Sequence, residues 1–435
     1  MALLHPRSCE TIHTGLNLFS VPPTQTSVAE GQFIEHHPIS TLNSSAPIEF
    51  HISGGGSEYL DLCHTYLHVR AKIVKSDGSD LAEADDKKVA PINYWLHSLF
   101  SQVDVTMNDV LVTPSENTYP YKAYIEATLN YGKDAKESHL SSALFYADTA
   151  GKFDSVDQGN AGCEKRKTLS QRSTEVDMIG RLHVSVAVQE RYILNGVNVK
   201  IRLIPSKPQF HLMSDTTKYK TVITHASLFV RKVKPNPAVS TAIERALQKD
   251  TAKYPMKRVL LKSFAIPKGS LNAVQDNLFL SQLPTRLVIG VVKSEAFNGS
   301  YTLNPFDFRA EALSLLSVYV DGQQIPSKPL TPDFEQGQWV RSYFTQALGT
   351  GVVNKDTGTG IDYSDFPGGY ALYVFDLTPS FLDGPQSELI KSGALRVELK
   401  FKKALAQAVH VLVYGELDSL LEIDRSRQIL TDFTA

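Results

Sequence analysis

Apolar and polar residues alternate along several segments of this chain. Residues 67–73, 197–203 and 395–401 each carry apolar side chains at every second position, with polar or charged side chains between them. This period of two, with one wet face, predicts antiparallel strands packed in sandwiches, because a parallel sheet is apolar on both faces. Val199 and Leu399 are expected to be fully buried at similar places in two sandwiches, and Lys400 is expected on a wet face. Long helical patterns are absent, so the chain is predicted to be mainly β.

The same short phrases occur in both halves of the chain, in the same order. The separation within each pair is roughly 185 to 220 positions, and four ordered matches at this spacing are hard to attribute to chance. The first pair predicts a strand, a turn at Asn108-Asp109 or Asp321-Gly322, and a second strand. The second pair is a short helical pattern. The matching pairs are 103–115 with 318–327, 122–132 with 341–351, 195–203 with 392–401, and 222–230 with 406–414.

Interruptions of the strand pattern divide the chain into five predicted parts. The first residues are rich in Pro, Ser, Thr and His and show no sustained period, which is typical of an extended arm. Prolines at 235 and 237 stop the last strand of the first unit and mark a boundary. The parts are an N-terminal arm (1–45), a first sandwich (46–235), a linker helix (236–253), a second sandwich (254–415), and a C-terminal strand or arm (416–435).

Composition excludes several classes of protein. The chain has 435 residues, 42% of them hydrophobic, and a net charge of −2. A dedicated nucleic-acid-binding protein usually carries a concentrated basic surface, so no sequence-specific nucleic-acid partner is expected. The three cysteines (Cys9, Cys63 and Cys163) do not indicate a disulfide framework. The first ten residues do not read as a signal peptide, and no apolar run is long enough to span a membrane. The chain is expected to be soluble and made in the cytosol.

Candidate chemistry is sparse. His64 and His68 have the spacing of a helical metal site, but on a strand they lie about 13 Å apart, so structural or surface roles are favoured. His36-His37 has no further ligand at a suitable spacing. Metalloprotease, nucleophile-elbow, phosphate-loop and dinucleotide motifs are absent. We therefore predict no catalytic, cofactor-binding or metal-binding residues and no cofactor.

Two long loops and two basic runs remain. Loops 132–180 and 345–370 are longer than most loops in compact domains, and such loops usually carry function or interactions. The basic runs, 164–167 and Lys257-Arg258, are expected to lie in solvated loops or at subunit contacts.

These residues also carry a family likeness over about 45–425. The chain resembles the double jelly-roll major capsid proteins of Polinton (Maverick) elements and adintoviruses, with more distant kin in virophages and adenovirus hexons. One departure is that 184–188 lacks an acidic residue expected there. The phrases that suggest the resemblance are Gly180-Arg-Leu-His-Val, Glu190-Arg-Tyr-Ile-Leu-Asn-Gly-Val197, Lys253-Tyr-Pro-Met-Lys-Arg-Val, Phe375-Asp-Leu-Thr-Pro379 and Tyr414-Gly-Glu.

The resemblance implies two tandem eight-stranded antiparallel jelly-roll sandwiches with short helices in loops. It also implies a non-enzymatic capsid subunit that forms homotrimers with a pseudo-hexameric outline and tiles an icosahedral shell around double-stranded DNA. Neighbouring capsomers and a penton or minor capsid protein would be its partners, and the virion capsid its location after synthesis in the host cytosol. The two long loops would project outward or clasp neighbours. Deleting residues 1–40 would leave the trimer folded but impair shell assembly.

Two other functions stay open at this point. An enzyme or carbohydrate-binding protein could be built on tandem jelly rolls, although such proteins are usually secreted. A capsid gene taken over by a host for a new binding role would have the same sequence features as a viral copy. Neighbouring genes for a packaging ATPase, a protease or a protein-primed polymerase would favour an intact virus-like element.

Overall fold

Antiparallel strands make up most of the ordered structure. The structure, a computed structural model, describes residues 5–42, 46–156, 159–215, 219–279, 282–381 and 387–432. The strands of the first half are β1 (Val28–His36), β2 (Ile48–Ile52), β3 (Tyr59–Lys75), β4 (Val89–Pro91), β5 (Phe100–Met107), β6 (Val110–Leu111), β7 (Val176–Arg181), β8 (Val199–Pro205), β9 (Leu212–Ser214) and β10 (Tyr219–Pro235). The strands of the second half are β11 (Ala252–Ile266), β12 (Asn272–Gln275), β13 (Arg286–Lys293), β14 (Phe308–Arg309), β15 (Leu313–Val320), β16 (Gln323–Leu330), β17 (Gly368–Gly369), β18 (Tyr373–Asp376), β19 (Leu395–Phe401), β20 (Val409–Ile423) and β21 (Ile429–Thr431).

Helices are short and lie between the strands. Single 3₁₀ turns occur at Thr14–Leu16, His139–Ala143, Gln171–Ser173 and Ser185–Ala187. The α-helices are α1 (Trp95–Ser98), α2 (Tyr119–Asn130), α3 (Lys133–Glu137), α4 (Ala161–Leu169), α5 (Pro208–His211), α6 (Pro237–Ala246), α7 (Ser294–Asn298) and α8 (Val340–Gly349).

The two halves have the same sheet topology. In the first half the strand orders are β1-β10-β3-β7, called the first sheet below, and β2-β8-β5-β6. In the second half they are β11-β20-β13-β18, called the second sheet below, and β12-β19-β15-β16. Strand β21 pairs with β20, and β4-β9 and β14-β17 form small additional pairs. Eight antiparallel strands in two packed sheets form a jelly roll, so the predicted fold class is confirmed.

The repeated phrases fall on equivalent elements. The first pair forms the hairpins β5–β6 and β15–β16, the second α2 and α8, the third β8 and β19, and the fourth parts of β10 and β20. Asn108 and Asp109 have φ of 43° and 66°, and Asp321 and Gly322 have φ of 50° and 80°. Positive φ at both central residues is the geometry of the tight hairpin turn that suits twisted strands.

Each sandwich has its own core, and the predicted strand phase is confirmed. Val199 and Leu399 are both 0% exposed, and Lys400 is exposed. In β8 and β19 the apolar positions point inward and the charged positions outward. The inner core of the second sandwich is a separate cluster that includes Leu316, Val397 and Val411.

Residues 28–36, which the sequence analysis assigned to the arm 1–45, form the edge strand β1 of the first sheet. The sequence analysis missed this strand because β1 is exposed over most of its length and so lacks the period-two pattern that marks the other strands.

The rest of the predicted arm and the predicted linker can also be located. Residues 5–27 are exposed throughout. Helix α6 lies inside the predicted linker, and Asn236 caps it by accepting a hydrogen bond from the Ala238 N–H. The division into five domains stays a prediction.

Candidate assembly surfaces

The histidines weighed as metal ligands lie on the first sheet or beside it. His64 Nδ1 lies 2.9 Å from Asp61 Oδ2, and His68 Nε2 lies 2.6 Å from Asp177 Oδ1. Burial lowers the pKa of His36, and nearby cationic groups lower that pKa further. Within the described residues, no three His, Cys, Asp or Glu side chains converge as a metal site.

Two other sequence features can be placed. The three cysteines are free thiols, with Cys9 exposed and Cys163 buried. In the described part of the chain, no helix combines the length and apolar character needed to cross a membrane.

A buried apolar contact joins the two halves. Helix α2 of the first half packs over the outer face of the second sheet. The ring of Tyr124 stacks on Phe306 with a centroid distance of 4.2 Å, and Tyr121 lies 5.6 Å from Phe297. Val288, Val292 and Leu412 of the outer face are at most 1% exposed and belong to the same buried cluster as α2. The central strand β13 is therefore buried on both faces.

A charged network runs through this contact. Lys122 lies 3.9 Å from Glu126, whose second oxygen lies 2.6 Å from His183 Nδ1. Burial by itself would raise the pKa of Glu126, but Lys122 and His183 outweigh burial, and the pKa of Glu126 is lowered. The Tyr414 hydroxyl donates to Glu416 at 3.0 Å, and Glu416 forms an ion pair with Arg286. Both halves therefore contribute charges to one network.

The two long loops contact each other. Gly151 N–H donates to Gly368 O at 2.6 Å, and the Tyr370 hydroxyl donates to Asp148 O at 2.5 Å. Lys136 Nζ donates to Thr359 O at 2.5 Å, and burial lowers the pKa of Lys136 to about 7. The loops 132–180 and 345–370 thus form part of the junction between the halves.

The expectation that the basic runs lie in solvated loops or at subunit contacts was wrong in one respect, because one arginine in each run is buried within the chain. Arg166 is 1% exposed; its guanidinium pairs with Asp148 at 2.7 Å and donates to Tyr146 O and Pro91 O. Arg258 is 7% exposed. The local sequence gave no sign that Arg166 is buried, because its carbonyl and carboxylate partners lie 18 or more residues away in sequence.

Several apolar side chains are exposed, and three groups of them are relevant to assembly. The arm carries Phe19, which is 98% exposed, and Val21, which is 87% exposed. Helix α8 exposes Val340, Phe344 and Leu348, and the outer face of the first sheet exposes Phe33 and Ile179. Exposed apolar groups that lie close together often mark interaction surfaces.

Sequence reasoning missed the contact between the halves, although one signal was present. Residues 287–292 are apolar or glycine without interruption, unlike the alternating strand at 67–73. A continuous apolar run is typical of a strand that is buried on both faces.

The sequence was compared with protein-family models and with known proteins. No protein-family model matches the sequence. An uncharacterized protein of Caenorhabditis elegans, F54H12.2, is 29% identical over 426 residues, which cover 95% of this chain and 99% of that protein.

Solved structures are similar over nearly the whole chain. A chain of the cryo-EM structure of the Sputnik virophage matches with a TM-score of 0.65 at 11% identity, covering 100% of this chain and 94% of that one. The Faustovirus major capsid protein matches with a TM-score of 0.60 at 9% identity, covering 94% and 93%. The mavirus major capsid protein matches with a TM-score of 0.52 at 15% identity, covering 99% and 97%. This chain has the double jelly-roll fold. At such low identity the likeness establishes the fold and not the function.

Proposed function

We propose that this protein is the major capsid protein of a Polinton (Maverick) or adintovirus-type element. It is a structural subunit and not an enzyme. Three copies form a pseudo-hexameric capsomer, and capsomers tile an icosahedral shell around a double-stranded DNA genome. Its partners are further copies of itself, neighbouring capsomers and a penton or minor capsid protein. The protein is made in the host cytosol and ends in the virion capsid.

The observation that carries this proposal is the near-complete match, in both directions, to chains of virus capsids. The Faustovirus and mavirus matches cover more than nine-tenths of each chain, so neither half of this protein is left over for a different role. In the described chain the region between the two halves is a packed apolar junction, and tandem hydrolases built on jelly rolls would place their catalytic groups in a cleft.

The internal duplication supports a trimer. Two equivalent rolls in each chain give six rolls in three chains, and a closed ring of six similar units has a nearly hexagonal outline. Cyclic rings are closed by heterologous contacts, in which different surfaces of adjacent copies meet. Exposed apolar groups on α8 and on the first sheet are the kind of surface that such contacts bury.

The Polinton or adintovirus type rests on the resemblance of the phrases at 190–197 and 253–259 and on the nematode relative. That relative comes from a nematode and matches over 99% of its length, which fits an element resident in animal genomes. Neighbouring genes test this part: a packaging ATPase, a protease or a protein-primed polymerase beside the gene supports an intact element. A gene alone among host genes supports a host-domesticated copy.

The assembly proposal is tested by the solution mass and shape of the purified protein. Three chains of 48.1 kDa give a particle of about 144 kDa. We expect light scattering to give this mass and negative-stain images of the same fraction to show hexagonal outlines or closed shells. A monomer of 48.1 kDa that forms no shells under any salt or pH condition would contradict the proposal.

A further inference from the structure

Helix α8 carries an apolar stripe that nothing in the described chain covers. Val340, Phe344 and Leu348 are 61%, 47% and 47% exposed. They are spaced four residues apart, so they lie on one face of the helix. These three residues are called the α8 stripe below.

The opposite face of α8 is firmly attached to its own jelly roll. Gln346 is buried, and its amide nitrogen donates to Tyr370 O at 2.8 Å and to Leu372 O at 3.1 Å. Gly349 lies so close to Val374 that a Cβ there would be 2.4 Å from a Val374 methyl. The α8 stripe therefore has a fixed position and points away from the fold.

The equivalent stripe on α2 is buried. The repeated phrases 122–132 and 341–351 place Val340, Phe344 and Leu348 opposite three α2 residues that are each 2% exposed, namely Tyr121, Ile125 and Leu129. All three belong to the buried cluster that includes residues of both halves. Tyr121, for example, contacts Phe297 and Phe306 of that half. The chain thus buries the apolar stripe of α2 and leaves the equivalent stripe of α8 exposed.

The outer faces of the two sheets differ in the opposite sense, because that of the second sheet is covered and that of the first sheet is not. The outer face of the second sheet is covered by α2, as described above. On the first sheet the same face carries Phe33, Tyr66, Phe229 and Ile179, of which Phe33 and Ile179 are 52% and 39% exposed. The rings of Phe33 and Tyr66 lie 5.9 Å apart. This set of four residues is called the first-sheet face below.

We infer that the α8 stripe of one copy docks on the first-sheet face of the next copy. This inference rests on the proposed function and deepens it, because it names the two surfaces that join copies in the capsomer. The partner is a second copy since the chain already packs an equivalent helix on an equivalent sheet between its own halves. The interface between chains thereby continues the interface within each chain.

The arrangement is head-to-tail. Each copy offers one stripe and one face, and neither surface is used twice, so the contact does not give a two-fold dimer. It closes into a ring when the rotation between successive copies is about 120°, as in the proposed trimer. Repeating one type of contact within and between chains gives the six similar junctions that a pseudo-hexamer needs.

The test uses the full-length protein with charges placed on each surface. The variants Phe344→Asp and Phe33→Asp each introduce a carboxylate into the contact, and Val274→Asp on β12 is the matched control, because Val274 is 45% exposed on the other sheet of the second half. We expect Phe344→Asp and Phe33→Asp to weaken association about 100-fold and to give monomers, while Val274→Asp keeps the wild-type mass. Phe344→Ala, with a smaller effect in the same direction, guards against misfolding of the charged variant.

Mixing the two defective variants tests the head-to-tail arrangement. Phe344→Asp keeps an intact first-sheet face and Phe33→Asp keeps an intact α8 stripe, so a mixture forms a 1:1 heterodimer that cannot close into a ring. Analytical ultracentrifugation measures this species. A mixture that stays monomeric contradicts the head-to-tail contact.

The outcomes separate this inference from the proposed function. A Phe344→Asp protein that keeps the wild-type oligomeric mass overturns the inference and leaves the capsid role intact. A wild-type oligomer that depends on the α8 stripe but never forms shells supports the inference and counts against the capsid role. A wild-type protein that is monomeric at every concentration overturns both.

Discussion

One carboxyl group that is buried in the second half has a raised pKa. Asp307 of the second half is 3% exposed, and its Oδ2 accepts a hydrogen bond from Arg309 Nε at 2.5 Å. Asp154 of the first half lies in the same cluster, 3.0 Å from Lys293 Nζ. Burial raises the pKa of Asp307 to about 7; Arg309 opposes this shift and Asp154 adds to it. The junction between the halves therefore contains a carboxyl group that titrates near neutral pH.

The raised pKa of Asp307 predicts a pH dependence of stability. In the unfolded chain this carboxyl titrates near its usual value of about 3.9, so between about pH 4 and pH 7 the folded state binds the proton more tightly. Raising the pH through this window therefore removes stability. We expect the free energy of unfolding of the wild type, relative to that of Asp307→Asn, to fall by about 1–3 kcal/mol between pH 4.5 and pH 8. Urea unfolding at both pH values measures it, and a constant difference would show that Asp307 is ionised throughout.

The alternation of inward and outward side chains along β19 predicts how much single substitutions lower stability. Leu399 is 0% exposed in the core of the second sandwich, while the side chain of Lys400 is 50% exposed and pairs with Glu398 at 3.2 Å. Leu399→Ala should lower the free energy of unfolding by about 2–5 kcal/mol because it leaves a cavity. Lys400→Ala should lower it by less than roughly 0.5 kcal/mol. Chemical denaturation of both variants is the measurement, and equal losses would contradict the assigned phase.

Among the elements, α2 and α3 offer a direct comparison of a buried and an exposed ion pair. Both pairs have the same spacing along a helix. Lys122 and Glu126 are each 13% exposed in the junction, whereas Lys133 and Glu137 are 70% and 67% exposed. Their nitrogen–oxygen distances, 3.9 Å and 3.8 Å, are nearly equal. The two pairs therefore differ mainly in burial and in the additional contact of Glu126 with His183.

Replacing the glutamate of each pair by alanine should lower the free energy of unfolding by different amounts. Glu126→Ala leaves Lys122 buried without its helical partner and takes a partner from His183, so we expect a loss of about 3–5 kcal/mol. Glu137→Ala, the matched control, should cost less than about 0.5 kcal/mol because water and salt screen the exposed pair. Thermal unfolding monitored by calorimetry separates the two cases. A small loss at both sites would mean that water reaches the junction.

The elements also show what a single sequence can reveal. Alternation at 197–203 and 395–401 and the repeated phrases were enough for the two sandwiches and their equivalent hairpins and helices. Strand β1 was missed because an edge strand that is wet on both faces has no alternation. The α8 stripe was visible as spacing, but its exposure was not. Whether Phe344 or Ile125 is covered depends on which sheet lies opposite. The apolar run 287–292 indicates a strand covered on both faces, but it does not tell which helix covers it.

At the scale of the whole molecule, the N-terminal segment separates into an exposed part and a paired part. Gln25 receives a hydrogen bond from the Val28 N–H, and Ser27 O accepts one from the Asn236 N–H, so ordered contacts begin just before β1. Phe19 and Val21, by contrast, are almost fully exposed. The exposed part is free to reach another subunit, whereas β1 belongs to the first sheet.

Two deletions separate these roles. Removing residues 1–24 should leave the melting temperature within about 2 °C of the wild type but abolish closed shells, because an exposed segment contributes little to the fold. Removing residues 1–40 also removes β1 and leaves the edge of β10 unpaired, so the melting temperature should fall by about 5–10 °C. Calorimetry and negative-stain imaging test both variants. Normal shells from the shorter deletion would exclude a role for the arm in assembly.

The short connection through α6 has a consequence for how the proposed capsomer responds to dilution. Because α6 and a few flanking residues tether β10 to β11, the α2 junction forms at an effective concentration in the millimolar range, whatever the bulk concentration. The α8 junction between copies has no such tether, and its occupancy follows the bulk concentration. Tethered and untethered junctions alternate around the proposed ring. A diluted capsomer therefore opens only at every second junction and releases whole chains, each with its two jelly rolls still joined.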